Sequence, residues 1–149
     1  MAMNRTKAKG RREKGFFIAL PMNVLEHPNY INLSLAAHKI LNGLLVQIRF
    51  KKGNIINNGD LCATWSMMKK RGIGSEATVN KGIKELIYYG FIVLTRQGEA
   101  LRNDKPNLYG ITWWAIDECN EKLDIKHSPT PLGNWKEVKV KYDSKKNLK

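Results

Sequence analysis

The chain has 149 residues, of which 42% are hydrophobic and 26% are charged, so it is long enough for one domain with its own hydrophobic core. Lysine and arginine outnumber aspartate and glutamate by 26 to 13, and the formal charge of +13 favours a polyanionic partner such as DNA or RNA. No apolar run approaches the ~20 residues of a transmembrane span. Phe16–Leu20 is too short for the apolar part of a secretory signal.

Cys62 and Cys119 are the only cysteines in the sequence, which predicts neither a disulfide framework nor a four-cysteine zinc site. The three histidines lack any catalytic or metal-binding spacing, so we expect no enzymatic activity, no metal and no cofactor. These features are typical of a reduced cytoplasmic protein, and the basic charge predicts association with the nucleoid.

The distribution of charge and proline divides the chain into three predicted regions. Residues 1–15 contain six basic residues and one acidic residue, which predicts a flexible basic arm. Ser128–Pro131 predicts a linker, so the folded domain is expected at residues 16–127 and a linker with a basic tail at residues 128–149. Lys136–Tyr142 alternates lysine with apolar residues and predicts either an edge strand or a disordered tail.

Helical patterns begin early in the domain. Pro21 is expected to open a brief helix through Glu26, because proline suits the first helical turn. Ser34 is a candidate N-cap for the first long helix. The apolar residues of that helix recur at the spacing of one helical face: Ala37, Ile40, Leu41, Leu44, Leu45 and Ile48.

A polar connection, Arg49–Asp60, separates this helix from the next one. Thr64 is a candidate N-cap for a short helix from Trp65 to Arg71, which Gly72 is expected to end.

A third helix is predicted from Glu76 to Tyr89, between a cap at Ser75 and a terminating Gly90. Its inward face is expected to consist of Val79, Ile83, Leu86 and Ile87.

Two β-strands are predicted after the third helix, at Phe91–Thr95 and Leu108–Trp113. They form a hairpin with a long, charged tip. Ile116, Cys119 and Leu123 are spaced for a short amphipathic helix after the hairpin.

The order helix, short helix, tight turn, helix and hairpin is the layout of a winged helix-turn-helix. The predicted fold class is therefore α+β, with a three-helix core, a β-hairpin wing and flexible basic arms at both ends. In this arrangement the third helix lies in the DNA major groove, and its first turns contact base edges. The wing contacts the backbone or the adjacent minor groove.

The exposed side chains of the third helix suit base edges: Asn80 matches adenine, Lys81 can donate to guanine, and Thr78 offers a methyl group to thymine. The predicted DNA-binding residues of this helix are Ser75, Glu76, Thr78, Asn80, Lys81 and Lys84. Wing and backbone contacts are predicted for Arg96, Arg102, Lys105, Lys69, Lys70, Lys51 and Lys52, and arm contacts for Arg11, Arg12 and Lys14.

The segment Ser75–Leu86, followed by Tyr89–Ile92, resembles the recognition-helix-to-wing segment of winged helix-turn-helix regulators. The chain is also similar to small proteins of phages, plasmids and other mobile elements, whose relatives include replication-initiation and regulatory proteins. The further segments that carry this similarity are Asn57–Asp60, Thr95–Gly98 and Leu108–Trp114. The resemblance covers about residues 16–124 and implies DNA binding through the third helix. Gly82 stands where alanine is more usual.

The expected function is sequence-specific binding of double-stranded DNA, as a transcriptional regulator or as a replication or copy-control factor of a mobile element. A homodimer is expected, because one helix reads few base pairs, and Ile116–Leu123 is the candidate dimer contact. No membrane interaction is expected. The alternatives are an RNA-binding or ribosome-associated protein and an interaction adaptor with incidental charge. Trp113 and Trp114 could also stack on single-stranded bases, although adjacent strand residues point to opposite faces.

Overall fold

The computed structural model of the protein describes residues 13–102 and 104–146. It is a mixed α+β structure, as the sequence predicts. The α-helices of this part of the chain are α1 (Met22–Leu25), α2 (Pro28–Ile31), α3 (Leu35–Leu45), α4 (Trp65–Lys69) and α5 (Glu76–Tyr88). The strands form two antiparallel hairpins, β1 (Phe50–Lys51) with β2 (Asn54–Ile55) and β3 (Ile92–Arg96) with β4 (Leu108–Ile111).

Hydroxyl side chains cap the N-termini of α3, α4 and α5. The side-chain oxygens of Ser34, Thr64 and Ser75 accept hydrogen bonds from the backbone N–H three residues later, at 3.1, 3.4 and 3.2 Å. The three predicted caps are therefore confirmed. Gly72 and Gly90 follow α4 and α5 with φ of +89° and +83°, a left-handed conformation that glycine adopts without strain.

The helix α3 ends at Leu45, although its apolar periodicity continues to Ile48, which is buried beyond the helix end. Gln47 accounts for the change of direction. Its side-chain amide donates to the carbonyl of Cys62 at 2.7 Å and accepts from the N–H of Cys62 at 2.9 Å, as a neighbouring strand would. The chain leaving α3 is thereby tied to the segment that precedes α4.

Close contact between α3 and α5 forms the centre of the core. Gly82 of α5 lies so near α3 that a Cβ atom there would collide with the Ile40 side chain, which is fully buried. An alanine at this position would force the Ile40 side chain to move within the packed core, which favours glycine where alanine is more usual.

The hairpin of β3 and β4 pairs Ile92 with Ile111, and a bulge interrupts the register between Leu94 and Arg96. The second strand ends earlier than predicted, at Ile111, because Thr112 turns back and donates its hydroxyl to the carbonyl of Gly90 at 2.5 Å.

The two tryptophans after this strand lie close together. The rings of Trp113 and Trp114 are 5.5 Å apart; Trp113 is buried and Trp114 packs against the core. They follow the end of β4, so the alternation of a strand does not apply to them.

The predicted polar connection contains the short β1–β2 hairpin and two buried asparagines. Asn57 accepts from the N–H of Arg49 and donates to the carbonyl of Gln47, each at 2.8 Å. Asn58 accepts from the N–H of Ile111 at 2.8 Å and donates to the carbonyl of the same residue at 2.9 Å. The side chain of Asn57 therefore satisfies partly buried backbone groups after α3, and that of Asn58 satisfies buried backbone groups at the end of β4.

The prediction of an amphipathic helix at residues 116–123 is wrong. Cys119, Asn120 and Glu121 have φ of 51°, 55° and 58°, which is a left-handed turn. The chain is fixed on either side of the turn. Asp117 exchanges two 2.8 Å hydrogen bonds with Asn58, and the N–H of Asp124 donates to Thr95 at 2.8 Å. The short span between these anchors requires a tight turn.

Residues 134–142 lie across α2 and the C-terminal end of α5. The fully buried Asn29 donates to the carbonyls of Trp135 and Glu137 at 3.0 and 2.7 Å and accepts from the N–H of Lys139 at 2.9 Å. The N–H of Tyr142 donates to the hydroxyl of Tyr89 at 2.7 Å. This segment is held by side chains of the core rather than by pairing with either sheet.

Candidate nucleic-acid interface

The polar side chains of α5 lie on the face that points away from the core. Glu76, Asn80, Lys81 and Lys84 are exposed, and Thr78 is half-buried. The residues on the buried face are Val79, Gly82, Ile83, Glu85 and Leu86. The exposure of the polar residues agrees with the predicted outward face.

The exposure of two residues of α5 differs from what the sequence predicts. Ile87, which was expected to face inward, is 43% exposed, because it lies at the edge of the buried face, one position past Leu86. Glu85, for which the sequence indicates no role, is 8% exposed. Its carboxylate accepts a 2.7 Å hydrogen bond from the N–H of Ser34 and so joins α5 to the start of α3.

The first turn of α5 uses its hydroxyl groups internally. The Ser75 and Thr78 hydroxyls lie 2.9 Å apart and share a hydrogen bond, in addition to the cap. Among the described residues, Asn80, Lys81 and Lys84 have no hydrogen-bond or ion-pair partner. Among the described residues, the unpaired polar side chains on the outward face of α5 are thus the amide of Asn80, the amines of Lys81 and Lys84, and the carboxylate of Glu76.

The basic side chains of the β3–β4 loop are paired with acids of the same loop. Arg102 makes hydrogen bonds of 3.1 and 2.7 Å with both oxygens of Asp104, and Lys105 lies 2.9 Å from a carboxylate oxygen of Glu99. The hydrogen bond with Asp104 raises the pKa of Arg102, and the same bond lowers the pKa of Asp104.

Arg96, the third predicted basic residue of the wing, is half-buried. Its guanidinium donates to the carbonyl of Pro106 at 2.9 Å, while its Nε is buried without a partner among the described residues. The three predicted wing side chains therefore bond within the hairpin and its loop, where the charges of Arg102 and Lys105 are compensated locally by Asp104 and Glu99.

A cleft of about 750 Å³ separates α5 from this loop. Glu76 and Asn80 line it from the helix, Trp65 from the start of α4, and Arg102 and Lys105 from the loop. The structure thus brings two predicted helix residues and two predicted wing residues to one concave surface.

The other predicted contact residues that the structure describes do not line this cleft. Lys69 and Lys70 are exposed at the end of α4, where the Lys69 amine lies 6.0 Å from the centre of the Trp65 ring. Lys51 and Lys52 are exposed in the β1–β2 hairpin, and no residue of that hairpin lines the cleft.

The predicted arm is described only in part. Lys14 is exposed, whereas Arg11 and Arg12 lie outside the described residues.

The C-terminal segment adds lysines that the predicted site does not include. The Tyr88 hydroxyl on α5 donates to the carbonyl of Val140 at 2.6 Å, which places the backbone of Lys139 and Lys141 beside the C-terminal end of that helix. The alternation of lysine and valine was visible in the sequence, but the docking depends on the buried Asn29, which no local pattern marks.

The two thiols are protonated at neutral pH. Burial raises the pKa of Cys119 to about 11 and also raises the pKa of Cys62. Among the described residues, no three His, Cys, Asp or Glu side chains are grouped as a metal ion requires. None of the helices in this part of the chain has the length and apolar character needed to cross a bilayer.

Comparison with known proteins finds no matching family model, no matching curated protein and no matching solved structure.

Proposed function

We propose that this protein is a winged helix-turn-helix protein that binds double-stranded DNA in a sequence-specific manner. In this proposal α5 lies in the major groove, α4 packs across it, and the β3–β4 hairpin is the wing. The observation that carries the proposal is the exposed and unpaired set of Asn80, Lys81 and Lys84 on the outward face of α5.

The chemistry of these three side chains suits a DNA groove. The amide of Asn80 can donate to and accept from adenine, and a lysine amine can donate to guanine or to a phosphate. Asn80 and Lys84 are four residues apart and share one side of the helix, while Lys81 lies beside them. The contact of Gly82 with Ile40 and the bond of Glu85 to Ser34 hold the helix rigidly behind these groups.

The paired basic residues of the loop favour selectivity over general adhesion. Glu99 and Asp104 neutralise Lys105 and Arg102. We therefore expect the wing to add few phosphate contacts on DNA that lacks the preferred sequence. Glu76 at the start of α5 acts in the same direction, since a carboxylate near phosphates is repelled.

We further propose that the biological role is transcriptional regulation or control of replication for a mobile element, and that two copies bind one site. A single helix contacts few base pairs, so a symmetric pair would extend the site. Protection footprinting on a selected DNA site tests this: two protected half-sites about one helical turn apart are expected, and a single short footprint would contradict it.

Competition binding tests the choice of ligand. The full chain is bound to a labelled DNA duplex and then challenged with unlabelled duplex DNA or with structured RNA of equal length. We expect the duplex DNA to displace the probe at lower concentration. RNA as the stronger competitor would instead favour the RNA-binding alternative.

Charge variants test whether α5 is the surface involved. The double variant Lys81→Gln/Lys84→Gln should make the negative slope of log K against log[salt] less steep by about 1–2, because each phosphate contact contributes about −0.9 to it. Lys126→Gln, an exposed lysine in the loop before residue 128, is the control and should leave the slope unchanged. Equal slopes for both variants and the wild type would contradict the proposal.

A further inference from the structure

A second concave surface, the apolar groove, lies among the segment before α1, the end of α3 and the β1–β2 hairpin. It has a volume of about 600 Å³. Its lining includes five exposed apolar side chains: Phe16, Phe17, Val46, Phe50 and Ile56. No residue lines both this groove and the cleft beside α5.

The exposure of these side chains is unusual for a surface with no ligand role. Phe16 is fully exposed, and Phe50, the least exposed of the five, retains 42% of its surface. Isolated apolar residues on a surface need no explanation, but a contiguous concave group of large ones marks a binding site. Aromatic side chains in such a group supply much of the binding free energy at protein interfaces.

The charges around the apolar groove are almost all positive. Arg49 lines it directly, and Lys51 and Lys52 are exposed in the hairpin that forms one wall. On the segment that forms the opposite lining, Lys14 is accompanied by Glu13, and among the described residues that carboxylate is the single acid on these segments. A ligand of this surface therefore meets apolar side chains beside Arg49, on segments that also carry Lys14, Lys51 and Lys52; these four residues are called the basic rim.

We propose that the apolar groove docks an amphipathic segment of a partner protein, whose apolar side chains fill the groove and whose aspartates and glutamates face the basic rim. The complementary charges select this partner and speed its association. The apolar contacts hold it, as in other grooves that bind one face of a helix. This site goes beyond the proposed DNA-binding function and does not rest on it.

Two other occupants fit the same observations less well. A second copy of the chain docked groove to groove would bring Arg49, Lys51 and Lys52 of both copies together, which like-charge repulsion opposes. An anionic bilayer would attract the basic rim, but a broad lipid surface does not fill a concave pocket as a protruding side chain does.

Selection from a displayed library of random peptides tests the proposal without assuming a partner. The full-length chain is the bait at physiological salt, and the variant Phe16→Ser/Phe50→Ser is the counter-selection. Phe16 is fully exposed, so its loss should not affect folding, and Phe16→Ser alone serves if the double variant unfolds in circular dichroism. We expect enrichment of peptides that combine apolar residues at helical spacing with a net negative charge.

Affinities of the enriched peptides then decide the assignment. Binding should weaken about tenfold or more for Phe16→Ser and for Arg49→Gln, and remain unchanged for Lys126→Gln. The proposal is overturned if no peptide is enriched, if the enriched peptides are not acidic, or if they bind the groove variants as tightly as the wild type.

Three further measurements identify the other occupants, and each positive result would overturn the proposal. A wild-type dimer that Phe16→Ser converts to a monomer in sedimentation would assign the groove to a second copy. Flotation with phosphatidylglycerol vesicles that depends on Phe16 would assign it to a membrane surface. Peptide binding that appears only after deletion of residues 1–12 would assign it to the chain's own N-terminus.

Discussion

The carboxylate of Glu85 accepts a hydrogen bond from the backbone N–H of Ser34 at 2.7 Å and so joins α5 to the first residue before α3. A negative charge at a helix N-terminus is favourable, because the unpaired N–H groups there carry partial positive charge. The same two helices meet again at Gly82, where α5 approaches Ile40 without an intervening Cβ. Two contacts on one side of α5 therefore set its direction relative to the core.

Removing this carboxylate should destabilise the fold. We expect Glu85→Ala to lower the free energy of unfolding by about 1–3 kcal/mol, because the Ser34 N–H loses its partner at a partly buried site. Glu85→Gln keeps an acceptor and should lose less. Urea denaturation monitored by circular dichroism measures the effect, with the exposed Glu26→Gln as the control. Equal stability of Glu85→Ala and the control would show that the bond does not fix α5.

Gly90 is expected to be intolerant of any side chain. Its φ is +83°, and a Cβ there would collide with the backbone carbonyl of Asn134. Gly90→Ala should therefore lower the free energy of unfolding by about 2–4 kcal/mol through strain and through loss of the packing of the C-terminal segment. Gly74→Ala is the matched control, because a Cβ at that position meets no atom within 4 Å. Thermal denaturation of both variants makes the comparison; similar melting temperatures would contradict the observed docking of residues 134–142.

His38 is expected to make stability depend on pH. Burial lowers its pKa, and this effect exceeds the opposing attraction of Glu85. The folded state therefore binds a proton less readily than the unfolded state, whose histidine titrates near the ordinary value of 6.5. The free energy of unfolding should fall as the pH drops through 6.5, and the decline should end below the lowered pKa of the folded state.

Urea denaturation between about pH 8 and pH 5.5 checks this dependence. His38→Phe keeps a ring beside Tyr30, whose centre lies 4.9 Å from that of His38, and should remove most of the slope. His127→Asn, which changes an exposed histidine, should keep it. An identical pH profile for His38→Phe and the wild type would exclude His38 as the source.

Features that depend on a few neighbouring residues were predictable from the sequence. The caps at Ser34, Thr64 and Ser75 are local hydrogen bonds, and the outward face of α5 follows from helical spacing, so both were found. The left-handed turn at Cys119–Glu121 was missed, because it results from anchors that are distant in sequence, such as Asn58.

The sequence also did not predict how the charged side chains of the proposed site are paired. A count of basic residues cannot show that Arg102 and Lys105 are paired with acids of their own loop. Nor does any local pattern distinguish Glu85, which bonds to a distant helix start, from the exposed Glu76 on the same helix. The loop pairs are close in sequence but depend on the conformation of the loop, whereas the bond of Glu85 to Ser34 depends on the tertiary packing of α5 against α3.

The proposed role of Asn80 in reading base edges is the central claim, and the specificity ratio of DNA binding tests it most directly. A preferred duplex is first selected from randomised DNA with the wild-type chain. The affinity for this duplex is then compared with that for an unrelated duplex, at one salt concentration, for the wild type and for Asn80→Ala. The exposed Asn32→Ala serves as the control.

If α5 reads the bases, Asn80→Ala should reduce the preference for the selected duplex by about 1–3 kcal/mol and leave the affinity for the unrelated duplex nearly unchanged. A variant that retains the full preference of the wild type would contradict the assignment of α5 as the helix that reads DNA.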